Sequence, residues 1–444
     1  MKQDRSIWPS LFGLLIVVLL STSITAQELA LGENLFPLQS EHAHGSTLVS
    51  LSNGDVLVAW FQGNGERWAD DVRIMGSRQK AGSKKWSAPF EMADVPDFPD
   101  VNPVLFIDPA DRLWLVWYTV IANQWETSLL KYRISEDYLQ GEGAPEWSWQ
   151  EVLHVKPGGP TERGIQADDT FVESVKQQFK DLTNSLNEAG LDEKQAKQWK
   201  AFQADILAKA AGKNLMASGY AYKADGTYTR EKLGYPYFRR MGWQTKNKPF
   251  IQDQRIILPL YSDGLEMTLF ALSDDLGKHW SFSEPVVGIA NIQASVVQKQ
   301  NGELVAYMRD NGPPPYRHPV STSTDGGKSW SLVQDSELPN PGSGSDAVTL
   351  ANGHWLIAYN DTEGGRHSLA ISLSEDEGKT WAHTRHILLS KDPEQKASGA
   401  YPAIIQDQNG LIHLSYSYRP AQSKLETIRY FSFEENWVKE KEGQ

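Results

Sequence analysis

A short pattern of Ser, Asp, Gly and Trp occurs three times in the second half of the chain, at intervals of about 50 residues. The copies are Ser273–Trp280, Ser323–Trp330 and Ser374–Trp381, which share S-x-D-x-G-x-x-W, and two degenerate copies precede them at 77–86 and 135–147. A fixed period of this length is typical of solenoids and propellers. Because Ser and Asp can hydrogen-bond the local backbone and Gly allows a positive φ, each octet predicts a hairpin turn with its Trp packed beneath.

A second repeat runs in phase with the octets and consists of a polar residue followed by two short apolar runs around a turn. Each copy predicts an antiparallel hairpin, because Asn-Gly or a similar pair separates two strand-like segments. The six copies begin at His44, Asn102, Asn247, Gln293, Asp346 and Tyr401. Six such hairpins predict an all-β fold, a six-bladed β-propeller.

One segment, residues 159–234, fits no strand pattern. Apolar residues recur there at helical spacing, first from Phe171 to Phe179 and again over 199–206, and Gly190 separates the two runs. We therefore predict a helical hairpin inserted between blades two and three. Its apolar stripes are interpreted as packing faces, and a lid over the active face is the alternative.

The N-terminus carries two basic residues, an apolar run over 11–20 and small residues up to Ala26. This order is typical of a signal peptide, so we predict cleavage of residues 1–26 and a propeller domain over 27–444. The alternative is an uncleaved anchor, for which the apolar run is short. The expected location is secreted or periplasmic, with no membrane contact after cleavage.

Composition excludes several kinds of site. The chain has no cysteine, which excludes thiolate zinc sites, iron–sulfur clusters and thiol nucleophiles. The net charge is −13 and no basic tract is present, so nucleic acid is not an expected partner. No loop has a clear spacing of metal ligands. We expect no cofactor and no metal, and the oligomeric state stays open.

The polar residues that open the six hairpins form the strongest site signal. The innermost strands of a propeller converge on its axis, so these side chains can meet in one pocket. From this set we expect His44 and Tyr401 to act in catalysis, and Asn102, Asn247, Gln293 and Asp346 to bind substrate. Loop residues near the same face add a catalytic Asp71 and the substrate-binding residues Glu66, Lys248, Arg309 and Arg366.

The octet resembles the Asp-box, or BNR repeat, of the sialidase superfamily, and the resemblance extends over the chain apart from the insert. In such propellers the boxes lie on the periphery, so we assign no chemistry to Asp275, Asp325 or Asp376. Sialidases hold a substrate carboxylate with three arginines and use a Tyr nucleophile polarised by a Glu, with an Asp as acid/base in a loop of blade one. The resemblance places Tyr401 at the nucleophile and Asp71 near the acid/base.

Arg309 matches the second of those arginines, but other positions depart from the pattern. His44 stands where the first arginine is expected, Asn360 stands near the third with Arg366 six residues on, and Gln293 replaces the glutamate. A carboxylate clamp needs several guanidinium groups, and glutamine cannot serve as the base that activates a tyrosine. These departures count against hydrolysis of sialic acid itself.

Three functions remain open, all with a glycan or oligosaccharide partner. The favoured one is an exo-acting glycoside hydrolase for a terminal sugar that can be anionic, with Asp71 as acid/base and Tyr401 or a water as nucleophile. The second is a polysaccharide lyase for uronate-containing glycans, with His44 or Tyr401 as base and Arg309 or Lys248 neutralising the carboxylate. The third is a non-catalytic glycan-binding propeller.

Overall fold

The computed structural model describes residues 29–159, 168–211, 216–222, 228–234, 239–390 and 396–440. The expected signal peptide, residues 1–26, lies outside the described residues and stays a prediction. None of the described helices has the length and apolar character needed to span a membrane.

Six of the seven antiparallel sheets formed by the described strands are arranged as blades, which confirms the predicted six-bladed propeller. Two short strands come first, β1 (Leu29–Ala30) and β2 (Glu33–Asn34). Blade one contains β3 (His42–Ser50), β4 (Val56–Gly63), β5 (Arg73–Gln79) and β6 (Phe90–Ala93). Blade two contains β7 (Asp100–Ile107), β8 (Leu113–Val120), β9 (Ser128–Ser135) and β10 (Trp149–Val152).

The insert follows, with α1 (Thr170–Ala189), α2 (Glu193–Ala210), β11 (Met216–Tyr222) and β12 (Tyr228–Gly234). Blade three contains β13 (Phe250–Gln252), β14 (Arg255–Ser262), β15 (Met267–Ser273) and β16 (Ser281–Phe282). Blade four contains β17 (Asn291–Gln298), β18 (Leu304–Asp310), β19 (Arg317–Ser323) and β20 (Gln334–Pro339).

Blade five contains β21 (Asp346–Thr349), β22 (Trp355–Tyr359), β23 (Ser368–Ser374) and β24 (His383–Leu389). Blade six contains β25 (Ser398–Gln406), β26 (Ile412–Arg419) and β27 (Thr427–Phe433), and a short helix, α3 (Glu435–Lys439), follows it. The fourth strand of blade six is β2, which pairs with β27, while β1 adds a fifth strand to blade five. The N-terminal strands thus close the ring.

The core lies between neighbouring blades. All eight residues of β4 and all eight of β8 are buried, because both faces of each sheet are covered by the adjacent blades. Such strands are continuous apolar runs in the sequence, and these are the apolar runs of the hairpin repeat.

The octets form the expected turns. In the first copy, Ser273 Oγ accepts a hydrogen bond from the backbone N of Gly277 at 2.7 Å, and Gly277 has φ +82°. The tryptophans differ from expectation, because they are half-buried rather than fully buried, and each lies against an aromatic side chain of the preceding blade. Trp330 of blade four stacks on Phe270 of blade three, with ring centroids 4.3 Å apart. The octet tryptophans therefore join neighbouring blades.

The insert contains the two predicted helices, and also a hairpin, β11 with β12, that was not predicted. Among the described strands these two pair only with each other, so they need no apolar pattern like that of the blades. Phe171 and Val175 of α1 belong to the same buried cluster as Leu265 of blade three. Gln178 donates to the carbonyl of Pro285 at 2.7 Å. The helices therefore pack on the propeller, as the packing-face interpretation requires.

Candidate active site

Four of the six innermost strands share an irregularity at the same point. In β3, β7, β17 and β25, two residues are skipped in the pairing with the second strand of the blade. The first skipped residue has a positive φ in each case: Gly45 (+63°), Asn102 (+47°), Gln293 (+54°) and Tyr401 (+51°). A bulge of this kind re-aims a side chain, and left-handed backbone at a residue other than glycine is strained and concentrates at functional sites.

The strand registers place Lys246 and Gly344 at the equivalent point of blades three and five. The axial ring therefore consists of Gly45, Asn102, Lys246, Gln293, Gly344 and Tyr401. His44 lies one residue before this ring, Asn247 one residue after it and Asp346 two residues after it. The six polar residues that open the hairpins are thus not all at one height.

An axial pocket of about 200 Å³ opens at this ring. The first strand of each blade begins at this face and the third strand ends at the opposite one, so the octets lie away from the pocket. The pocket is lined by His44, Phe61, Glu66, Val101, Asn102, Tyr118, Trp125, Tyr261, Asp263, Gln293, Arg309, Arg366 and Tyr401.

Tyr401 is the point on which the polar groups of the pocket converge. Arg309 Nη1 donates to its Oη at 2.8 Å, and Gln293 Nε2 donates to the same atom at 3.2 Å. The guanidinium carbon of Arg366 lies 5.3 Å from the centroid of its ring. Hydrogen bonds from charged donors are the strong ones, so this arrangement stabilises negative charge that develops on the phenolic oxygen.

The imidazole of His44 lies against the same tyrosine, with the two ring centroids 4.3 Å apart. Burial, together with the positive charges of His42 and Arg366, holds the pKa of His44 well below its usual value of 6.5. The ring is therefore neutral at pH 7 and has a nitrogen free of a proton.

The pocket has two carboxyl groups whose environments differ. Burial raises the pKa of Asp263, although Arg309 opposes the shift. Burial also acts to raise the pKa of Glu66, but the hydrogen bond from His42 at 3.3 Å and the positive charges of His42, Arg67 and Arg366 together outweigh it, so the pKa of Glu66 is lowered. Such divergence between neighbouring carboxyls separates a proton donor from a group that stays ionised.

Two phenols and an indole complete the wall. Asn102 Nδ2 donates to Tyr118 Oη at 2.9 Å and lies 3.4 Å from Tyr261 Oη. Sequence reasoning did not select Tyr118, Tyr261, Trp125 or Asp263. The strands that contain Tyr118 and Tyr261 look like uninterrupted core, and the usable signal is that both tyrosines stand at the same register of their second strands as Arg309.

The family comparison identifies the wider group. A model described as the BNR repeat-like domain matches residues 54–204 and 242–414. The chain belongs to the BNR repeat-like family. This places it with the sialidase-like propellers, as the octets had indicated.

Solved structures similar to this BNR repeat-like chain share its fold. A Dyadobacter fermentans protein of unknown function is 15% identical with a TM-score of 0.58, covering 92% of this chain and 97% of its own. The Hadza microbial sialidase Hz136 is 15% identical with a TM-score of 0.55, covering 92% and 69%. A Penicillium chrysogenum α-L-arabinanase complexed with arabinobiose is 14% identical with a TM-score of 0.51, covering 93% and 99%. None of the curated proteins compared matches the chain.

The BNR repeat-like chain thus has a fold found in glycoside hydrolases. At these identities the likeness concerns the fold, and the chemistry must be argued from the site. The pocket brings together seven of the residues singled out in the sequence, namely His44, Glu66, Asn102, Gln293, Arg309, Arg366 and Tyr401.

Asp71 does not lie among the pocket residues, in contrast to the expectation. It is exposed, and its Oδ1 accepts a hydrogen bond from the backbone N of Asn64 at 3.1 Å. The Asp71 carboxylate therefore closes the loop that carries Glu66. Glu66 is the residue of this loop whose carboxyl group lines the pocket.

Asp346, Lys248 and Asn247 also lie outside the pocket lining. Lys248 Nζ and Asp346 Oδ2 form an ion pair at 2.7 Å. Asn247 Nδ2 donates to the carbonyls of Gln293 and Ala294 at 3.1 and 3.0 Å. These groups hold the inner strands together beneath the pocket, because they follow the bulge position instead of occupying it.

One group of side chains among the described residues has the geometry of metal ligands: His354, Glu375 and Glu435. It lies on the outside of blade five and next to α3. Lys439 Nζ forms ion pairs with Glu375 at 2.6 Å and Glu435 at 3.0 Å, and so already supplies positive charge there.

Proposed function

We propose that this protein is an exo-acting glycoside hydrolase that removes a terminal, anionic sugar. The observation that carries the proposal is Tyr401, whose hydroxyl oxygen accepts hydrogen bonds from Arg309 and Gln293 in the axial pocket. The pocket, at about 200 Å³, is below the roughly 300–1,000 Å³ of most ligand sites, and such a space accommodates one sugar unit rather than a chain.

The residues support a two-step reaction with Tyr401 as nucleophile. Its Oη would attack the anomeric carbon while Asp263, which keeps its proton to higher pH, gives that proton to the glycosidic oxygen. Glu66 stays ionised and would accept the phenolic proton, directly or through a water. In the second step the carboxylate of Asp263 would take a proton from a water whose oxygen bonds the anomeric carbon, and Glu66 would return its proton to the departing oxygen of Tyr401.

The preference for an anionic sugar follows from Arg309 and Arg366. Both guanidinium groups line the pocket next to Tyr401, and such groups bind carboxylates through paired hydrogen bonds. Two buried polar atoms of the pocket, Arg309 Nε and Asn102 Oδ1, have no hydrogen-bond partner among the described residues. Buried polar atoms are normally paired, so both are available to a substrate.

A uronate-specific lyase is the second candidate, and His44 is the observation that favours it. A neutral imidazole packed on Tyr401 could take the proton α to a carboxylate that Arg309 neutralises. In this reaction no water is consumed, and the product has a new carbon–carbon double bond.

One assay separates these functions. The purified protein is incubated with terminal sialosides, uronides and neutral glycosides, and with uronate polymers, while reducing-sugar release and absorbance near 235 nm are followed together. A hydrolase releases reducing sugar without absorbance, whereas a lyase raises the absorbance. Binding measured by calorimetry with neither product would refute both enzymatic functions.

Variants test the assignment of residues. Tyr401→Phe and Asp263→Asn should fold like the parent and lower kcat by about 10²-fold or more, the scale of a lost catalytic group. Asp71→Asn is the matched comparison, because it removes an exposed charge outside the pocket but keeps an oxygen that can accept from Asn64, and it should lower turnover far less than Asp263→Asn. A large loss in Asp71→Asn with full activity in Asp263→Asn would reverse the two assignments. His44→Ala should weaken binding in a hydrolase and abolish turnover in a lyase.

We also propose that the protein is exported after removal of residues 1–26, as the N-terminal pattern of charged, apolar and small residues suggests. The mass of the protein isolated from its native culture should correspond to a chain that begins near residue 27. A full-length mass in the cell pellet would refute the proposal.

A further inference from the structure

A buried lysine lies beside the ring of Tyr401, outside the pocket lining. Lys246 is 4% exposed and occupies the position in blade three that Tyr401 occupies in blade six. Its Nζ donates to the carbonyl of Pro402 at 2.7 Å and to that of Ser345 at 3.3 Å. The same atom lies 5.6 Å from the centroid of the Tyr401 ring.

The surrounding backbone is built to accommodate this side chain. A Cβ atom placed on Gly344 would lie 3.0 Å from Lys246 Cε and 3.1 Å from Gln293 Oε1. Both contacts are tight, so glycine at this point of blade five leaves the room that the two neighbouring side chains fill. Lys246 thus has a defined place in the axial ring.

We propose that Lys246 is a positioning residue for Tyr401. Its ammonium group holds the carbonyl of Pro402, and with it the left-handed backbone of Tyr401, while it presents a positive charge to the tyrosine ring. A cation within about 6 Å of an aromatic centroid is attracted to the ring, more strongly where water is excluded. The inference rests on the proposed function, because it assumes that Tyr401 is the reacting group.

The charged surroundings of Lys246 make this contact sensitive to pH. Burial lowers the pKa of Lys246 to about 7, with Asp346 opposing the shift and Lys248 adding to it. His44, the other titratable group that faces both side chains, is neutral throughout this range. The ammonium is therefore present below about pH 7 and lost above it, which gives Tyr401 two electrostatic environments.

The direct test is an NMR titration of protein labelled with ¹³C at tyrosine Cζ, with the Tyr401 resonance identified by its absence in Tyr401→Phe. In the parent this resonance should shift with an inflection near pH 7. The inflection should disappear in Lys246→Met and also in Lys246→Gln, which keeps an N–H donor without the charge. It should persist in Lys248→Met but at a higher pH, because this change keeps Lys246 and removes a neighbouring positive charge that lowers its pKa. An inflection that persists in both Lys246 variants would overturn the proposal.

Kinetics provide the second readout. Lys246→Met should lower kcat by about 10-fold, a value between those of exposed and fully desolvated cation–π contacts, with KM within about 2-fold. It should also remove the part of the pH dependence of kcat that has its midpoint near pH 7. Parent kcat and an unchanged pH profile would overturn the proposal. If no glycan is turned over, the proposed function fails, and the NMR titration alone still decides whether Lys246 acts on Tyr401.

Discussion

Replacement of Asp346 should lower the denaturant concentration at which the propeller unfolds. Asp346 Oδ2 pairs with Lys248 Nζ at 2.7 Å and accepts from the backbone N of Ile404 at 2.9 Å, while Oδ1 accepts from Ser295 Oγ at 2.7 Å. These partners belong to, or immediately precede, the inner strands of blades three, six and four. One carboxylate of blade five therefore connects four blades near the axis.

The size of the effect follows from these contacts. A hydrogen bond to a charged group contributes about 1.5–3 kcal/mol, but several to one carboxylate are not additive. Removal of one partner of a buried ion pair costs about 3–5 kcal/mol, because the other charge is left uncompensated. We therefore expect Asp346→Ala to lower the free energy of unfolding by about 3–5 kcal/mol, and Ser295→Ala by about 1–2 kcal/mol.

The assay is urea unfolding followed by tryptophan fluorescence, with turnover measured in the absence of urea. The double variant Asp346→Leu with Lys248→Met should recover part of the loss, since it removes both charges. An Asp346→Ala protein with the parent's urea midpoint but without turnover would refute the reasoning, and would return Asp346 to the substrate-binding role that the sequence suggested.

Three further predictions concern stability. Trp330→Ala should lower the free energy of unfolding by about 2 kcal/mol, less than the roughly 3–5 kcal/mol of a fully buried aromatic, because the ring is half-buried against Phe270. An unchanged melting temperature would contradict this stacking. Gly277→Ala should destabilise strongly, since φ is +82° and the new methyl would collide with Trp114, and a soluble variant that melts like the parent would count against it. Burial alone would lower the pKa of His42, but its carboxylate partners raise that pKa from the usual 6.5 to about 9. This shift contributes up to about 3 kcal/mol of stability below pH 6.5, and the contribution is lost as pH rises through about 9. The urea midpoint of the parent should exceed that of His42→Gln below pH 6.5, and the difference should shrink as pH rises through about 9.

The sequence predicted the blades and the two helices because each depends on a local period. It did not resolve which polar residue of each inner strand faces the axis, because that depends on a two-residue bulge visible only in strand pairing. Asp346 lies two residues after the bulge position and therefore accepts hydrogen bonds from neighbouring strands, whereas Tyr401 occupies the bulge position itself. Asp263 was missed for another reason. It follows a second strand, and the position of such residues depends on how the blades pack around the axis.

The closure of the ring by β2 has a consequence for how the molecule is made. Glu33 pairs with Tyr430, a partner about 400 residues away along the chain. During synthesis the first strands emerge long before β27 exists, so the edge of blade six that β2 completes stays open until β27 has been made. Contacts of such long separation slow folding, and an unpaired strand edge is a site of aggregation. The propeller is thus most prone to aggregation in the interval before β2 and β27 have paired.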